Sequence, residues 1–267
     1  MCMSLYERNY TTITDEERLI WEDMKEQEKI GLGNLRKRNL FLKYPKAIRH
    51  YLSLFPNHYL DVVELRDEVR LQNITEQYLL EINNPKANEL SIMKFIKQSR
   101  TYFIIASLFK DYNFGHHEAY VIPEFLFGNT YRVDYLLIGK NSGGYEFILV
   151  ELEHPYKDIT TKCGDLGSAF RKGIKQIDDW KRYLIPNFMT LEETFLKYKN
   201  PKIDLPREFI KPDITRIHYV VVAGRRSHFN DNTYWIKRNK RENEKINLLH
   251  YDNLYDYAVD TIGKSTY

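Results

Sequence analysis

Helical spacing of apolar residues dominates the first third of the chain. The runs PKAIRHYLSLF and NITEQYLLEI have this spacing, and Thr14 with Glu17 forms a capping box that predicts a helix start. Asn73 and Glu76 repeat the spacing of the capping box and predict a second helix start. These patterns predict a helical N-terminal region over residues 1–84.

Strand spacing replaces helical spacing after the helical pair NELSIMKFIKQS and RTYFIIASLFKDY. EAYVIP, TYRVDYLLIG and YEFILVELE predict three strands, and GKNSGG between the last two predicts a hairpin loop. The rest of the chain then predicts a helix near residues 165–185, a strand in ITRIHYVVVAG, a helix in FNDNTYWIKRNKREN, a strand in INLLHY and a final amphipathic helix. This order predicts an α/β domain over residues 85–267, with a central mixed sheet flanked by helices.

Composition narrows the class of protein without indicating a function. The 267 residues are 43% hydrophobic and 29% charged, which is typical of globular proteins, and no apolar run approaches the roughly 20 residues that span a bilayer. The start of the chain has no apolar segment of a secretion signal, and Cys2 and Cys163 are too few for a disulfide framework. We therefore expect a cytoplasmic protein without membrane contact. The net charge of +3 neither requires nor excludes nucleic acid.

Two glutamates end a run that otherwise has the character of a buried strand. In FILVELEHP, Glu151 and Glu153 are two positions apart, so they lie on the same face of the strand. Asp134 interrupts the apolar run of YRVDYLLIG, and a hairpin at GKNSGG would bring it next to the two glutamates. Three carboxylates at one site need a compensating positive charge. Mg²⁺ or Mn²⁺ suits such oxygen ligands, and pairing with lysine or arginine is the alternative.

The order of the motifs resembles the PD-(D/E)xK nuclease superfamily and, more narrowly, the nuclease domain of the Shedu antiphage defence family. The matching pieces lie over roughly residues 86–262 and are NELSIMKFIKQ, VIPEFLFGNTYRVDYLLIG, FILVELEHP, AFRKGIKQIDDWKRYL, YVVVAGRR and INLLHYDNLYDYA. The GRR after a β-branched strand and the late tyrosine-aspartate-x-leucine motif favour Shedu over the wider superfamily. The resemblance implies a PD-(D/E)xK-type nuclease core, and it leaves the first 80 or so residues uncovered.

The resemblance also implies a role for each acidic position. Asp134 and Glu151 would hold the metal ion together with the backbone carbonyl of Leu152. Glu153 would complete the metal shell or accept a proton from the attacking water. Glu89, at the start of an upstream helix, would be an outer or second metal ligand.

One departure from the family pattern affects the charge of the site. The family usually has lysine where this chain has Glu153, so Lys172 or Lys175 on the following helix would have to supply the missing positive charge. Gln176 on that helix would orient water or phosphate. Arg225 and Arg226 follow a central strand, where α/β sheets place ligands, and with Lys172 they are predicted to contact nucleic acid.

These expectations together indicate a Mg²⁺- or Mn²⁺-dependent DNA endonuclease that acts in antiviral defence. Because a nuclease must be restrained in its host, we also expect a homo-oligomer or control by the N-terminal region. Two other functions remain open at this stage. Loss of the lysine could leave a catalytically inactive nucleic-acid-binding module on the same fold, or the N-terminal helices could recognise a phage component.

Overall fold

The computed structural model describes residues 4–29, 39–128, 130–211 and 213–267. Within these ranges the chain forms a five-stranded mixed sheet with helices on both faces, which confirms the predicted α/β class. The strands are β1 (Glu118–Phe127), β2 (Tyr131–Asn141), β3 (Gly144–Leu152), β4 (Ile217–Val222) and β5 (Ile246–Leu249). The α-helices are α1 (Asp15–Lys29), α2 (Lys46–Tyr51), α3 (Glu68–Asn83), α4 (Glu89–Ser99), α5 (Phe103–Ala106), α6 (Ser168–Asn187), α7 (Leu191–Leu196), α8 (Asp231–Glu244) and α9 (Tyr251–Thr261).

Side-chain caps explain where two of the N-terminal helices begin. The capping box before α1 is confirmed, because Glu17 N–H donates to Thr14 Oγ1 at 3.2 Å and Thr14 N–H donates to Glu17 Oε2 at 2.9 Å. The predicted start at Asn73 is wrong, because Asp67 caps α3 by accepting a hydrogen bond from the backbone N–H of Arg70. Asn73 therefore lies inside the helix.

The strands follow one another in the order β1-β2-β3-β4-β5 across the sheet. β1, β2 and β3 are antiparallel neighbours, whereas β3, β4 and β5 are parallel. The predicted hairpin is confirmed, since Asn141 pairs with Gly144 around a two-residue turn. Because β3 and β4 are parallel and α6 lies between them in the chain, their carboxyl ends meet at one edge of the sheet. The start of β2 lies at the same edge, which we call the carboxyl edge.

Two apolar cores lie on opposite faces of the sheet. One contains buried side chains of α3, α4, α5 and α9, and the other contains those of α6 and α7. The first core includes Tyr78 of the predicted N-terminal region as well as Ile92 and Leu254 of the predicted second domain. The two regions therefore share one core, and the boundary at residue 84 stays a prediction.

The N-terminal region also covers the outer edge of β1. Leu60 N–H donates to the carbonyl of Ala119 at 2.9 Å, and Val121 N–H donates to the carbonyl of His58 at 3.1 Å. A covered edge strand cannot pair with another chain there.

Of the two cysteines, Cys163 is exposed, and Cys2 lies outside the described residues. Among the helices described, none combines the length and the apolar character needed to cross a bilayer.

Helix α6 packs closely on β4 because a glycine faces the strand. A Cβ atom at Gly173 would lie 2.5 Å from Val221 Cγ1 and 3.4 Å from Glu153 Cγ. In Gly173→Ala, overpacking would cost about 1–3 kcal/mol, and the better helix propensity of alanine would offset up to about 1 kcal/mol. We therefore expect urea denaturation to show a free energy of unfolding that is about 1 kcal/mol lower than in the wild type. Arg171→Ala on the exposed side of α6 should stay within about 0.5 kcal/mol. Equal effects of the two substitutions would contradict the need for a glycine.

Candidate active site

The three carboxylates predicted from the hairpin lie at the carboxyl edge. In the β2–β3 register Tyr135 faces Val150, so Asp134 and Glu151 are the next positions along the two strands. Oδ2 of Asp134 accepts a hydrogen bond from the backbone N–H of Leu152, 2.8 Å away. The structure thus brings Asp134 and Glu151 together.

The alternation of faces along β2 is irregular around Asp134. The residue opposite it in the β1–β2 register is Glu124, whose φ of 50° is uncommon for a non-glycine residue. On β2, Val133 and Leu136 pack in the same core although they are three positions apart, so the alternation of faces shifts between them. Asp134 lies within this irregular stretch, where its side chain reaches the backbone of β3.

Glu151 and Glu153 are almost completely buried, with 5% and 3% of their surface exposed. Oε2 of Glu151 and Oε1 of Glu153 have no hydrogen-bond partner among the described residues. Burial, together with the charges of Asp134 and Glu153, raises the pKa of Glu151 to about 9. Burial also raises the pKa of Asp134 to about 6, against the effect of the hydrogen bond from Leu152. A nearby cation would restore the ionised form of both groups.

One ammonium group contacts these carboxylates. Lys172 Nζ lies 2.9 Å from Glu153 Oε2, with 62% of the lysine side chain exposed and 4% of the glutamate side chain. Burial raises the pKa of Glu153, and the bond to Lys172 opposes that rise. Pairing with a basic residue, the alternative to a metal, thus occurs at Glu153. Asp134 and Glu151 form no ion pair within the described part of the chain.

Glu89 completes this group from the helical side. It is the first residue of α4, which Asn88 caps by accepting a hydrogen bond from Ser91 N–H at 3.0 Å. Oε2 of Glu89 is buried without a hydrogen-bond partner in the described structure. Its charge adds to burial in raising the pKa of Glu151 and of Glu153, so it lies within electrostatic range of both. We refer to Glu89, Asp134, Glu151 and Glu153 as the acidic cluster.

The acidic cluster fits a divalent metal by donor type but not as a finished coordination shell. Carboxylate oxygens are the donors that Mg²⁺ and Mn²⁺ prefer, and three of the four residues have an unpartnered buried oxygen. However, no three histidine, cysteine, aspartate or glutamate side chains in the described ranges are arranged to hold one metal ion. Metal binding would therefore require these side chains to reorient.

Two further candidates on α6 make no bond to the acidic cluster. Lys175 is exposed and Gln176 is partly exposed, and within the described residues neither donates a hydrogen bond to a carboxylate of the cluster. Gln176 follows Lys172 by one helical turn and thus lies on the same side of α6. Of the two lysines that could supply the missing charge, the structure brings only Lys172 to the carboxylates.

The two predicted arginines after β4 have different surroundings. Arg225 has 13% of its side chain exposed, whereas Arg226 has 55% exposed and pairs with Asp256. An arginine has five N–H donors, and in Arg225 each has an acceptor: Oδ2 and Oδ1 of Asp252, the carbonyl of Ile82, the hydroxyl of Tyr156 and Oδ1 of Asn83. A phosphate contact by Arg225 would thus require one of these bonds to break.

Tyr251 supports the site in a way that the sequence did not predict. Tyr251 is fully buried, and its hydroxyl donates to the carbonyl oxygen of Glu153 at 2.8 Å. Tyr251 and Asp252 begin the tyrosine-aspartate motif that supports the family resemblance, but that motif gave neither residue a role in the site. Asp252 also closely follows β5 at the carboxyl edge, where α/β sheets place functional groups. That signal could have identified Asp252.

Fold and site together define an α/β protein with a buried acidic site at the carboxyl edge of a mixed sheet. A family model described as "Shedu protein SduA, C-terminal" matches residues 38–255, and the chain belongs to the Shedu family. The match begins well before residue 86, so it includes part of the helical region that the sequence resemblance left uncovered. A search of curated proteins finds no match. Membership in the Shedu family indicates a role in antiphage defence.

Proposed function

We propose that the chain is a DNA endonuclease whose acidic cluster binds Mg²⁺ or Mn²⁺. The supporting observation is that buried oxygens of Glu89 on α4, of Glu151 on β3 and of Glu153 just after β3 have no hydrogen-bond partner in the described structure. Unpaired buried carboxylates are unfavourable, and a divalent cation matches both their charge and their oxygen donors. The choice of DNA as substrate rests on the resemblance to PD-(D/E)xK nucleases, whose core we propose for this sheet.

Each residue of the site has a role in this proposal. Asp134 and Glu151 would hold the ion with the carbonyl of Leu152, and Glu89 would be an outer ligand. The bound ion would stabilise charge on the phosphate and lower the pKa of a bound water. Glu153 would complete the shell or accept the proton of the attacking water.

Cationic and polar side chains around the acidic cluster would act on the DNA. Lys172 would neutralise charge on the phosphate, because its ammonium already lies at Glu153 and is open to solvent. Gln176 would orient water or phosphate from the next turn of α6. Arg226 is the more exposed of the two arginines after β4, and its guanidinium could contact a DNA phosphate. The products would be a 5′-phosphate and a 3′-hydroxyl, as the resemblance implies.

The proposal is tested by incubating supercoiled plasmid with the protein in Mg²⁺, in Mn²⁺ and in EDTA. Nicking in either metal but not in EDTA would support it. The runner-up is a nucleic-acid-binding module without catalysis, which is favoured by the absence of a finished metal shell among the described side chains. That module would bind DNA equally well in EDTA and would not nick it in any metal.

Substitution of the two α6 lysines should separate their roles. We expect Lys172→Ala to slow nicking by about 10²-fold, because removing one charge-stabilising group from a site commonly has an effect of this size. Lys175→Ala should slow nicking by less than about tenfold, because Lys175 forms no ion pair with the acidic cluster. Nicking rates measured on agarose gels would contradict this assignment if Lys175→Ala had the larger effect.

The family role in antiphage defence supports phage or plasmid DNA as the proposed substrate. We propose that the protein acts in the cytoplasm as a homo-oligomer, since a nuclease must be kept inactive until infection. Sedimentation of the purified protein would test the oligomeric state.

A further inference from the structure

The acidic cluster combines carboxylates from two parts of the fold that repel each other when ionised. Glu89 lies on α4, Glu151 lies on β3 and Glu153 directly follows β3, and the charge of Glu89 acts on both of the other glutamates. Glu89 has no ion pair of its own among the described residues. Repulsion of this kind would push the start of α4 away from the sheet unless other bonds fixed it there.

Arg225 joins the segments on either side of this junction. Its guanidinium holds the end of α3 through the carbonyl of Ile82 and through Asn83 Oδ1, which lies 2.8 Å from Nη2. It also holds Asp252 at the start of α9, with Nη2 2.7 Å from Oδ1, and the hydroxyl of Tyr156 at 3.1 Å. We call this set of five residues the Arg225 clamp.

On the helical side, the clamp is linked to Glu89 by a short bonded turn. Asn84 N–H donates to the carbonyl of Glu81 at 3.1 Å, and Ala87 N–H donates to the carbonyl of Asn84 at 2.9 Å. Ser91 Oγ in the first turn of α4 donates to Glu81 Oε1 at 2.8 Å. These bonds tie α3 to α4, so the position of the α3 end determines the position of Glu89.

On the sheet side, the clamp is linked to Glu153 by two tyrosines. Tyr156 follows the end of β3, and its hydroxyl donates to the carbonyl of Ile82 at 2.6 Å. Tyr251 precedes Asp252, and its hydroxyl donates to the carbonyl of Glu153 at 2.8 Å. The clamp is thus connected to Glu89 through the α3–α4 turn and to Glu153 through Tyr251.

We infer that Arg225 is a positioning residue that holds Glu89 close to Glu151 and Glu153. This role rests on the proposed function, because it concerns the same metal site. Arg225 acts there through hydrogen bonds within the protein, whereas contact with nucleic acid was predicted from the sequence. A lysine in its place would keep the positive charge but lose the planar fork that reaches several acceptors at once.

The test compares the wild type with Arg225→Lys, with Asp252→Asn as a milder second variant, and uses two measurements. In metal-free protein, hydrogen exchange of the backbone amides over residues 84–92 should become at least about tenfold faster in both variants. By calorimetry, the affinity for Mn²⁺ should fall about 10–100-fold, as it does when outer-shell partners of a metal site are removed. Arg8→Lys is the matched control, because Arg8 also makes a two-bond pair with a carboxylate, Glu17, outside the clamp. It should change neither measurement.

A double-variant cycle separates positioning from a general loss of structure. If Arg225 acts by placing Glu89, Arg225→Lys should weaken Mn²⁺ binding much less in a Glu89→Gln background than in the wild type. Equal effects in both backgrounds would overturn the inference. Unchanged hydrogen exchange over residues 84–92 in Arg225→Lys would also overturn the inference. So would an Arg225→Lys variant that binds DNA more weakly in EDTA but keeps the wild-type affinity for Mn²⁺.

The two measurements also distinguish failure of this inference from failure of the proposed function. A wild type that binds no Mn²⁺ would contradict the metal site itself. The exchange measurement in metal-free protein would still decide whether Arg225 fixes the α3–α4 turn.

Discussion

Replacement of Asp134 by alanine is expected to reduce metal-dependent nicking by at least about 10³-fold, equivalent to about 4 kcal/mol of transition-state stabilisation. The substitution removes one of the two carboxylates that we propose as principal metal ligands. Nicking of supercoiled plasmid in Mn²⁺ measures the effect, and loss of Mn²⁺ binding by calorimetry should accompany it.

Two controls make the Asp134 result specific. Asp134→Ala also removes the acceptor of Leu152 N–H, so Asp134→Asn should be measured as well, because its side-chain oxygen can still accept that bond. We expect both variants to lose activity. Asp178→Ala, on an exposed part of α6, should retain wild-type nicking. Wild-type nicking by Asp134→Ala would exclude Asp134 from the site.

The second large effect concerns the stability of the metal-free protein. Glu151 has an ordinary pKa of 4.5, and burial raises its pKa to about 9 in the folded chain. Between these values the folded protein binds one more proton than the unfolded chain, so the free energy of unfolding falls as pH rises. At pH 7 the free energy of unfolding is therefore about 3 kcal/mol lower than it would be with an uncharged side chain at position 151.

Glu151→Gln should therefore stabilise the metal-free protein while abolishing its nicking. Urea denaturation in EDTA should show little difference from the wild type near pH 5 and a gain of about 3 kcal/mol for the variant at pH 7. Glu17→Gln is a control of opposite sign, because the bond with Arg8 lowers the pKa of Glu17 to about 2 and the substitution should destabilise the protein. A variant no more stable than wild type at pH 7 would contradict the raised pKa of Glu151.

Local patterns in the sequence predicted the sheet well because each strand carries its own signal. The apolar runs with Asp134 and Glu151 interrupting them became β2 and β3, and the two-residue turn paired them as expected. The start of α3 was predicted six residues too late, at Asn73. Asp67 and Asn73 are both residue types that cap helices, and in the structure Asp67 is the cap.

Contacts between distant segments could not be predicted in the same way. Lys172 and Lys175 were equal candidates, and the helical phase of α6 against β3 decides that Lys172 reaches Glu153. Arg225 was expected to face a ligand because it follows a central strand. Its five acceptors come from parts of the chain that no short pattern connects, including the end of α3 and the start of α9.

The salt bridge between Lys172 and Glu153 has a consequence for how relatives of this protein are recognised. A sequence scan for an acidic residue followed two positions later by lysine on one strand would miss this chain. The ammonium group beside Glu153 belongs to Lys172, which lies 19 residues later on α6. A three-dimensional template that asks only for an ammonium group beside the second acidic side chain would keep this chain. Related sequences without a lysine at the position of Glu153 can therefore be searched for a basic residue on the following helix.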